Sequence, residues 1–234
     1  MFNEMTKDRF KGEKIMGRNI RVTGKGKFSL KPDTICLAIE AEGVYPDYET
    51  TIKESADRTI ALRKSLEKSG LSGKELKTKH FSIQSEYESY RDKNDDYKRR
   101  FVGYKFEHHT EIKFPNDNKQ LGRTLYELSH CPVEVEFTIY YTVSNPGYVK
   151  NELLKKAVED SKKKAEILAE AAGVKLGEIE HIDYSWGELQ ILSHPIDKLM
   201  AQPMLLESEA SYDIDIEADD IDVNDTVTIE WSIR

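Results

Sequence analysis

The sequence predicts an α+β fold, with antiparallel sheets packed against two long helices and one short helix. Three observations carry that reading. Two long stretches, 47–69 and 146–172, have helical apolar spacing, and each stops at a glycine, Gly70 and Gly173. The segments around them alternate with the two-residue period of strands, and they do not alternate one for one with helices as in a parallel α/β protein. The two helical stretches also echo each other. Both open Pro-x-Tyr (Pro46, Tyr48; Pro146, Tyr148), and both pass from their glycine through a short turn into a strand. The echo reads as an internal repeat of strand-helix-strand-strand units, approximately 34–114 and 132–234.

Taken in order, residues 1–18 are polar and aperiodic and read as a flexible N-terminal arm preceding a domain of 20–234. Residues 20–30 have strand character interrupted by Gly24 and Gly26, which mark a bulge, an irregular edge or close backbone packing. Lys31-Pro32-Asp33 is a turn, and 34–44 is a strand with Ile35, Leu37 and Ile39 on one face and Cys36 and Ala38 on the other. In the first helix, Ile52, Ala56, Ile60, Leu62 and Leu66 form the predicted apolar stripe. Residues 76–90 and 101–114 read as a hairpin joined by a solvated connection, 91–100. A short helix follows at 117–129, with Leu121, Leu125 and Leu128 inward. Residues 132–144 then alternate as a strand through Val133, Val135, Phe137, Ile139 and Tyr141. The last long helix places Leu154, Ala157, Val158, Ala165, Leu168, Ala169 and Ala172 on one side, many of them small enough for close packing. Residues 177–185, 211–217 and 222–233 read as strands, and 187–210 as a long loop.

The chain has 234 residues, 38% hydrophobic and 33% charged, with net charge −8. That is long enough for a sizeable core and too acidic overall to favour nucleic acid as the main partner. Two cysteines, Cys36 and Cys131, make no disulfide framework and read as two buried or half-buried thiols. No apolar run is long enough to span a membrane, and the charge-rich first twenty residues lack the apolar core of a secretory leader. A cytoplasmic location is the resulting expectation.

Several stretches form a recognisable set: Val22-Thr23-Gly24-Lys25-Gly26, the Lys31-Pro32-Asp33 turn, Gly103-Tyr104, 157–165 (AVEDSKKKA), 171–177 (AAGVKLG) and 229–233 (IEWSI). On these the chain resembles the SIMPL domain family, over almost its full length. The family includes bacterial oxidative-stress defence and periplasmic immunogenic proteins and an animal adaptor that binds a pelle-like kinase. The resemblance implies a two-unit α+β fold, large ring- or barrel-like homo-oligomers, possible protein partners and a role in oxidative or general stress protection. It implies no catalytic residues. The chain departs from the family where Ala218-Asp219 stands in place of a Pro-Gly turn before the last strand.

No motif for chemistry stands out. Residues 12–19 (GEKIMGRN) have the outline of a phosphate loop, but no strand precedes them and the Lys-Ser/Thr ending is missing. The histidines His80, His108, His109, His130, His181 and His194 have no metal-binding spacing, and adjacent His108 and His109 must point to opposite sheet faces. Asp213, Asp215 and Glu217 read as a solvated strand face without the spacing of a calcium loop, and no Gly-x-Ser-x-Gly elbow occurs. The expectation is therefore no catalytic, cofactor or metal residues and a non-enzymatic protein. A small-molecule or lipid-like ligand module and an uncharacterised enzyme stand as alternatives. The aromatic residues Tyr87, Tyr90, Tyr97, Phe101, Tyr104 and Phe106, with Arg99 and Arg100 among them, are the candidate interface, whether of a homo-oligomer or with another protein.

Overall fold

A computed structural model describes residues 18–184, 191–193 and 216–234. In chain order the elements are β1 (Asn19–Leu30), β2 (Thr34–Tyr45), α1 (Tyr48–Lys68), a 3-10 turn (Gly73–Glu75), β3 (Lys77–Arg91), β4 (Tyr97–Pro115), α2 (Asn118–Ser129), β5 (Glu136–Thr142), α3 (Pro146–Ala171), β6 (Leu176–Asp183) and β7 (Ile221–Ile233). They form two compact units, an α+β arrangement with one sheet in each.

One unit holds a three-stranded sheet of order β1-β7-β6 with α3. β6 and β7 are antiparallel. β1 also runs antiparallel to β7, since Ile233 donates to the Arg18 carbonyl while Thr23 meets Thr228 at 2.9 Å, one index rising as the other falls. Val22, Ala157, Ala165, Val227, Ile229 and Trp231 make its core.

Gly24 and Gly26 explain how α3 is seated. A Cβ at Gly24 would lie 2.0 Å from the Ala157 carbonyl oxygen, and one at Gly26 would lie 2.1 Å from that of Leu153. Helix backbone therefore rests directly on strand backbone. The buried ridge of α3 is Val149, Leu153, Ala157, Ser161, Ala165 and Ala169, one residue in every four. Four helical residues rise about 6 Å, and two strand residues rise about 6.8 Å, so the two ladders nearly match. A parallel row of side chains uses the same match. Lys156 Nζ donates to the Lys27 carbonyl at 3.4 Å, and the Lys25 amide donates to Asp160 Oδ2 at 2.7 Å. Lys164 Nζ donates to the Thr23 carbonyl at 3.3 Å. Main-chain groups of the edge strand β1 are thus taken by its own helix. Leu168 and Ala172, expected inside, are exposed, because a helix this close to a strand buries only a narrow ridge.

The other unit holds a four-stranded antiparallel sheet of order β3-β4-β2-β5, with α1 and α2. Ile35, Leu37, Ile39, Leu62, Leu66, Ile112, Phe114, Leu121, Leu128 and Tyr141 are buried together. Asp47 caps α1 by accepting from the Thr50 amide at 2.8 Å, and Asp117 caps α2. Asp33 gathers three segments. Its amide donates to the Thr142 carbonyl, its carbonyl accepts from the Asn116 amide, and its carboxylate accepts from the Ser144 amide at 2.6 Å.

Three expectations change. The duplication is not seen in the sheets: β5, placed in the second repeat, pairs with β2, while β1, outside both repeats, joins β6 and β7. Pairing β5 to β2 sets Ile139 against Leu37 and Tyr141 against Ile35, which completes the apolar face. The α1 stripe is also redrawn. Ile52, Ala56 and Ile60 are exposed, and Thr51, Ser55, Leu62, Ser65 and Leu66 face inward. Finally, β5 begins at Glu136, so 132–135 is not strand, and the hairpin turn shrinks to residues between Arg91 and Tyr97. The strand predicted at 211–217 falls largely outside the described residues, as do residues 1–17 of the N-terminal arm.

Candidate interaction surface and polar cluster

β3 and β4 stay paired from Lys77 opposite Glu111 to Arg91 opposite Tyr97, whereas β2 accompanies β4 only as far as Tyr45 opposite Tyr104. Beyond that point the hairpin is a two-stranded ribbon. A register shift between Glu86 and Tyr87 introduces it, and Gly103 sits there with φ of 149°. Five of the six predicted aromatics decorate this region. Tyr87 and Phe101 stack edge to face at 5.7 Å, and Phe101 and Tyr104 at 5.3 Å. Arg99 lies 5.0 Å over Tyr87, and Arg91 lies 4.6 Å over Tyr97. Tyr87, Tyr90, Tyr97 and Phe101 are exposed, Tyr97 by 74%. Phe106 is a correction: it is fully buried, stacked on Tyr45 beneath Arg58, and belongs to the core. Two-stranded ribbons are marginal in water, and this one is tied by Arg91 to Asp95 at 2.7 Å, by Arg100 to Glu88 at 2.7 Å and by Lys98 to Asp92.

The opposite face of the same sheet carries a polar cluster that the sequence did not flag. Glu111 accepts from Tyr140 and from Lys79 at 2.9 Å, with Lys113 at 3.5 Å. Cys36, fully buried, stands opposite both Tyr140 and Lys113 in the strand register. Burial alone would raise the Glu111 pKa, but the Tyr140 and Lys79 hydrogen bonds outweigh it and hold the carboxyl below its usual range. Burial, then the Glu111 bond, pushes the Tyr140 phenol far up, and burial pushes the Cys36 thiol up. The thiol therefore stays protonated and the carboxylate stays occupied. The cluster stitches β3, β4, β2 and β5 together and offers no free base or nucleophile. The available signal was Glu111, a charged residue within a strand whose helix-side neighbours Thr110 and Ile112 are buried.

His108 and His109 do point to opposite faces. His109 meets His80 edge to face at 5.5 Å and approaches Glu40, while His108 is buried between Thr59 and Thr78 at 3.1 and 2.9 Å. Burial first, then the charges of Arg63 and His109, lower the His108 pKa. The unfolded chain takes up this proton near the ordinary imidazole value of about 6.5, and the folded chain takes it up only at lower pH. Stability is therefore expected to fall as pH drops below that value, and His108→Gln should remove this component. Urea midpoints measured at pH 7.5 and 5.5 test it: an equal decline in the variant would rule His108 out.

Cys131 is half-buried in an open groove of about 380 Å³ lined by Leu128, Ser129, Pro132, Val133, Val135 and Phe137. Its neighbour His130 is held by the Tyr126 carbonyl at 2.9 Å. Among the described residues no three His, Cys, Asp or Glu side chains come together to hold a metal, and no helix is long and apolar enough to cross a membrane. His194, Asp213 and Asp215 lie outside the described residues.

With this geometry in hand, the SIMPL family model, described as a protein of unknown function (DUF541), matches residues 20–231. The chain belongs to the SIMPL family. Two curated relatives are the 26 kDa periplasmic immunogenic proteins of Brucella melitensis biotype 1 and Brucella abortus strain S19, each 26% identical over 163 residues. The match covers 70% of this chain and 65% of each relative, so the chain spans just under two thirds of their length. For this SIMPL protein the matched range takes in both sheets, the glycine-seated helix and the aromatic ribbon.

Proposed function

We propose that this SIMPL-family protein works without catalysis, as an assembly and interaction module whose contact surface is the β3–β4 ribbon. The observation that carries the reading is a ribbon standing beyond its sheet with Tyr87, Tyr90, Tyr97 and Phe101 exposed beside arginines. Aromatic and arginine side chains of this kind form the energetic centre of protein interfaces. A homo-oligomer is the proposed assembly, and stress protection is the role that family resemblance points to. The curated relatives are named as periplasmic proteins. A cytoplasmic location for this chain is the separate reading that cell fractionation tests.

Light scattering after size exclusion is the direct experiment. The wild type is expected to elute as an oligomer at micromolar concentration. Tyr97→Ala combined with Phe101→Ser is expected to weaken association at least about tenfold, the size of a hot-spot loss, with an unchanged circular dichroism spectrum. A strictly monomeric wild type would remove the assembly reading. The ligand-module alternative has the Cys131 groove in its favour.

A further inference from the structure

Among the described residues the two sheets have four edges, and three of them are defended. The β1 edge is bonded to Lys156, Asp160 and Lys164 of α3. The β5 edge is bridged by Ser193, which exchanges two main-chain hydrogen bonds with Tyr141 at 2.7 and 2.9 Å. The β6 edge is short and broken by two register shifts, a device that discourages pairing. The β3 edge differs. It has 15 residues, and among the described residues nothing is hydrogen-bonded to its outer side. From His80 to Glu86 it pairs evenly with β4 and contains no Pro, Gly or Lys.

We infer that the outer edge of β3 pairs antiparallel with β3 of a second copy, about a two-fold axis at Ser82. This deepens the assembly reading by adding a second contact to the ribbon. In an antiparallel pair, facing residues must point to the same sheet face. On β3, Ser82, Gln84 and Glu86 share the face of Glu107 and Lys105, while Phe81, Ile83 and Ser85 share that of Phe106. Centring on Ser82 satisfies the rule throughout. Phe81, 46% exposed, then faces Ile83 of the second copy, and the reverse pair repeats it. Ser82, at the axis, then faces Ser82 of the second copy. The extra residue at Lys79, where the register with β4 slips, shifts the pairing by one and sets Lys77 opposite Glu86. The paired stretch is therefore complementary to itself in charge at its ends, Lys77 of each copy facing Glu86 of the other. Strand pairing beyond β3 would merge two four-stranded sheets into one of eight strands.

Register-specific crosslinking tests this. In a background with Cys36→Ala and Cys131→Ser, Ser82→Cys is expected to give a disulfide-linked dimer under mild oxidation. Gln84→Cys, whose symmetry mate lies four residues along the strand, about 13 Å away, is expected to give none. Independently, Lys77→Glu should weaken association at least about fivefold, and Lys77→Glu with Glu86→Lys should restore it. If the wild type oligomerises but Ser82→Cys fails to crosslink and the charge reversals have no effect, β3 pairing is overturned while the ribbon reading stands. If Gln84→Cys crosslinks as well as Ser82→Cys, the register is wrong. A monomeric wild type overturns both readings.

Discussion

Gly24→Ala is expected to destabilise the three-stranded unit by about 3 kcal/mol, the upper part of the range for overpacking a core. The added methyl would lie 2.0 Å from the Ala157 carbonyl oxygen and 2.5 Å from the Ser161 amide nitrogen. Both are backbone atoms of α3, so no rotamer change makes room. The helix must lift off β1, and lifting it also breaks the Lys25–Asp160 bond and separates Ser161 Oγ from the Val22 carbonyl. Gly26→Ala should behave alike, since its methyl meets the Leu153 carbonyl oxygen at 2.1 Å. Lys25→Ala provides the contrast: it keeps the amide that bonds Asp160 and should cost under about 0.5 kcal/mol, as surface changes do. Urea unfolding followed by tryptophan fluorescence reads the difference, because Trp231 lies in this unit's core. A Gly24→Ala midpoint equal to that of Lys25→Ala would show that the helix is not seated as described.

That seating also marks what the sequence made legible. The helix limits were readable because they are local chemistry: Asp47 and Asp117 cap, and Gly70 and Gly173 adopt positive φ of 93° and 69°. Strand periods were readable in β2 because alternate residues face the core. The buried faces of the helices were less readable. Periodicity selects the most apolar side, yet α1 buries Thr51, Ser55 and Ser65 and leaves Ile52 and Ile60 exposed by 46% and 50%. Small residues win the inward side because a close helix–sheet approach rewards shape before hydrophobicity. The ribbon was read in part. Its aromatics were singled out, but Tyr97–Arg100 looked like a polar connection because both faces of a two-stranded ribbon meet solvent and polar residues satisfy them. The Glu111–Tyr140–Cys36 cluster was not readable, since its members come from three strands whose order only the fold supplies.

Gly103→Ala is the second large effect expected, and it links the fold to the proposed surface. Two costs combine at this position. Its φ of 149° is a conformation that L side chains rarely adopt, and a methyl there would lie 2.3 Å from the Tyr45 carbonyl oxygen and 2.9 Å from its carbonyl carbon. Gly70→Ala separates the two costs. It shares a positive φ, 93°, but its methyl would meet nothing nearer than Gln120 Oε1 at 3.9 Å. Strain alone, about 1 kcal/mol, is expected there, against about 3 kcal/mol for strain and clash together at Gly103. The location of the damage should differ as well. Gly103 pairs with Glu86 at the register shift where β2 ends and the ribbon begins. Relieving the clash means moving β4 away from Tyr45, which tilts Phe101 and Tyr87 with it. Amide hydrogen exchange is therefore expected to accelerate across residues 86–103 in Gly103→Ala and to stay unchanged there in Gly70→Ala. On the assembly reading, association weakens in the first variant and not in the second. Equal exchange in the two variants would mean that Gly103 does not set the ribbon's position, and its conformation would then be a local feature of the strand.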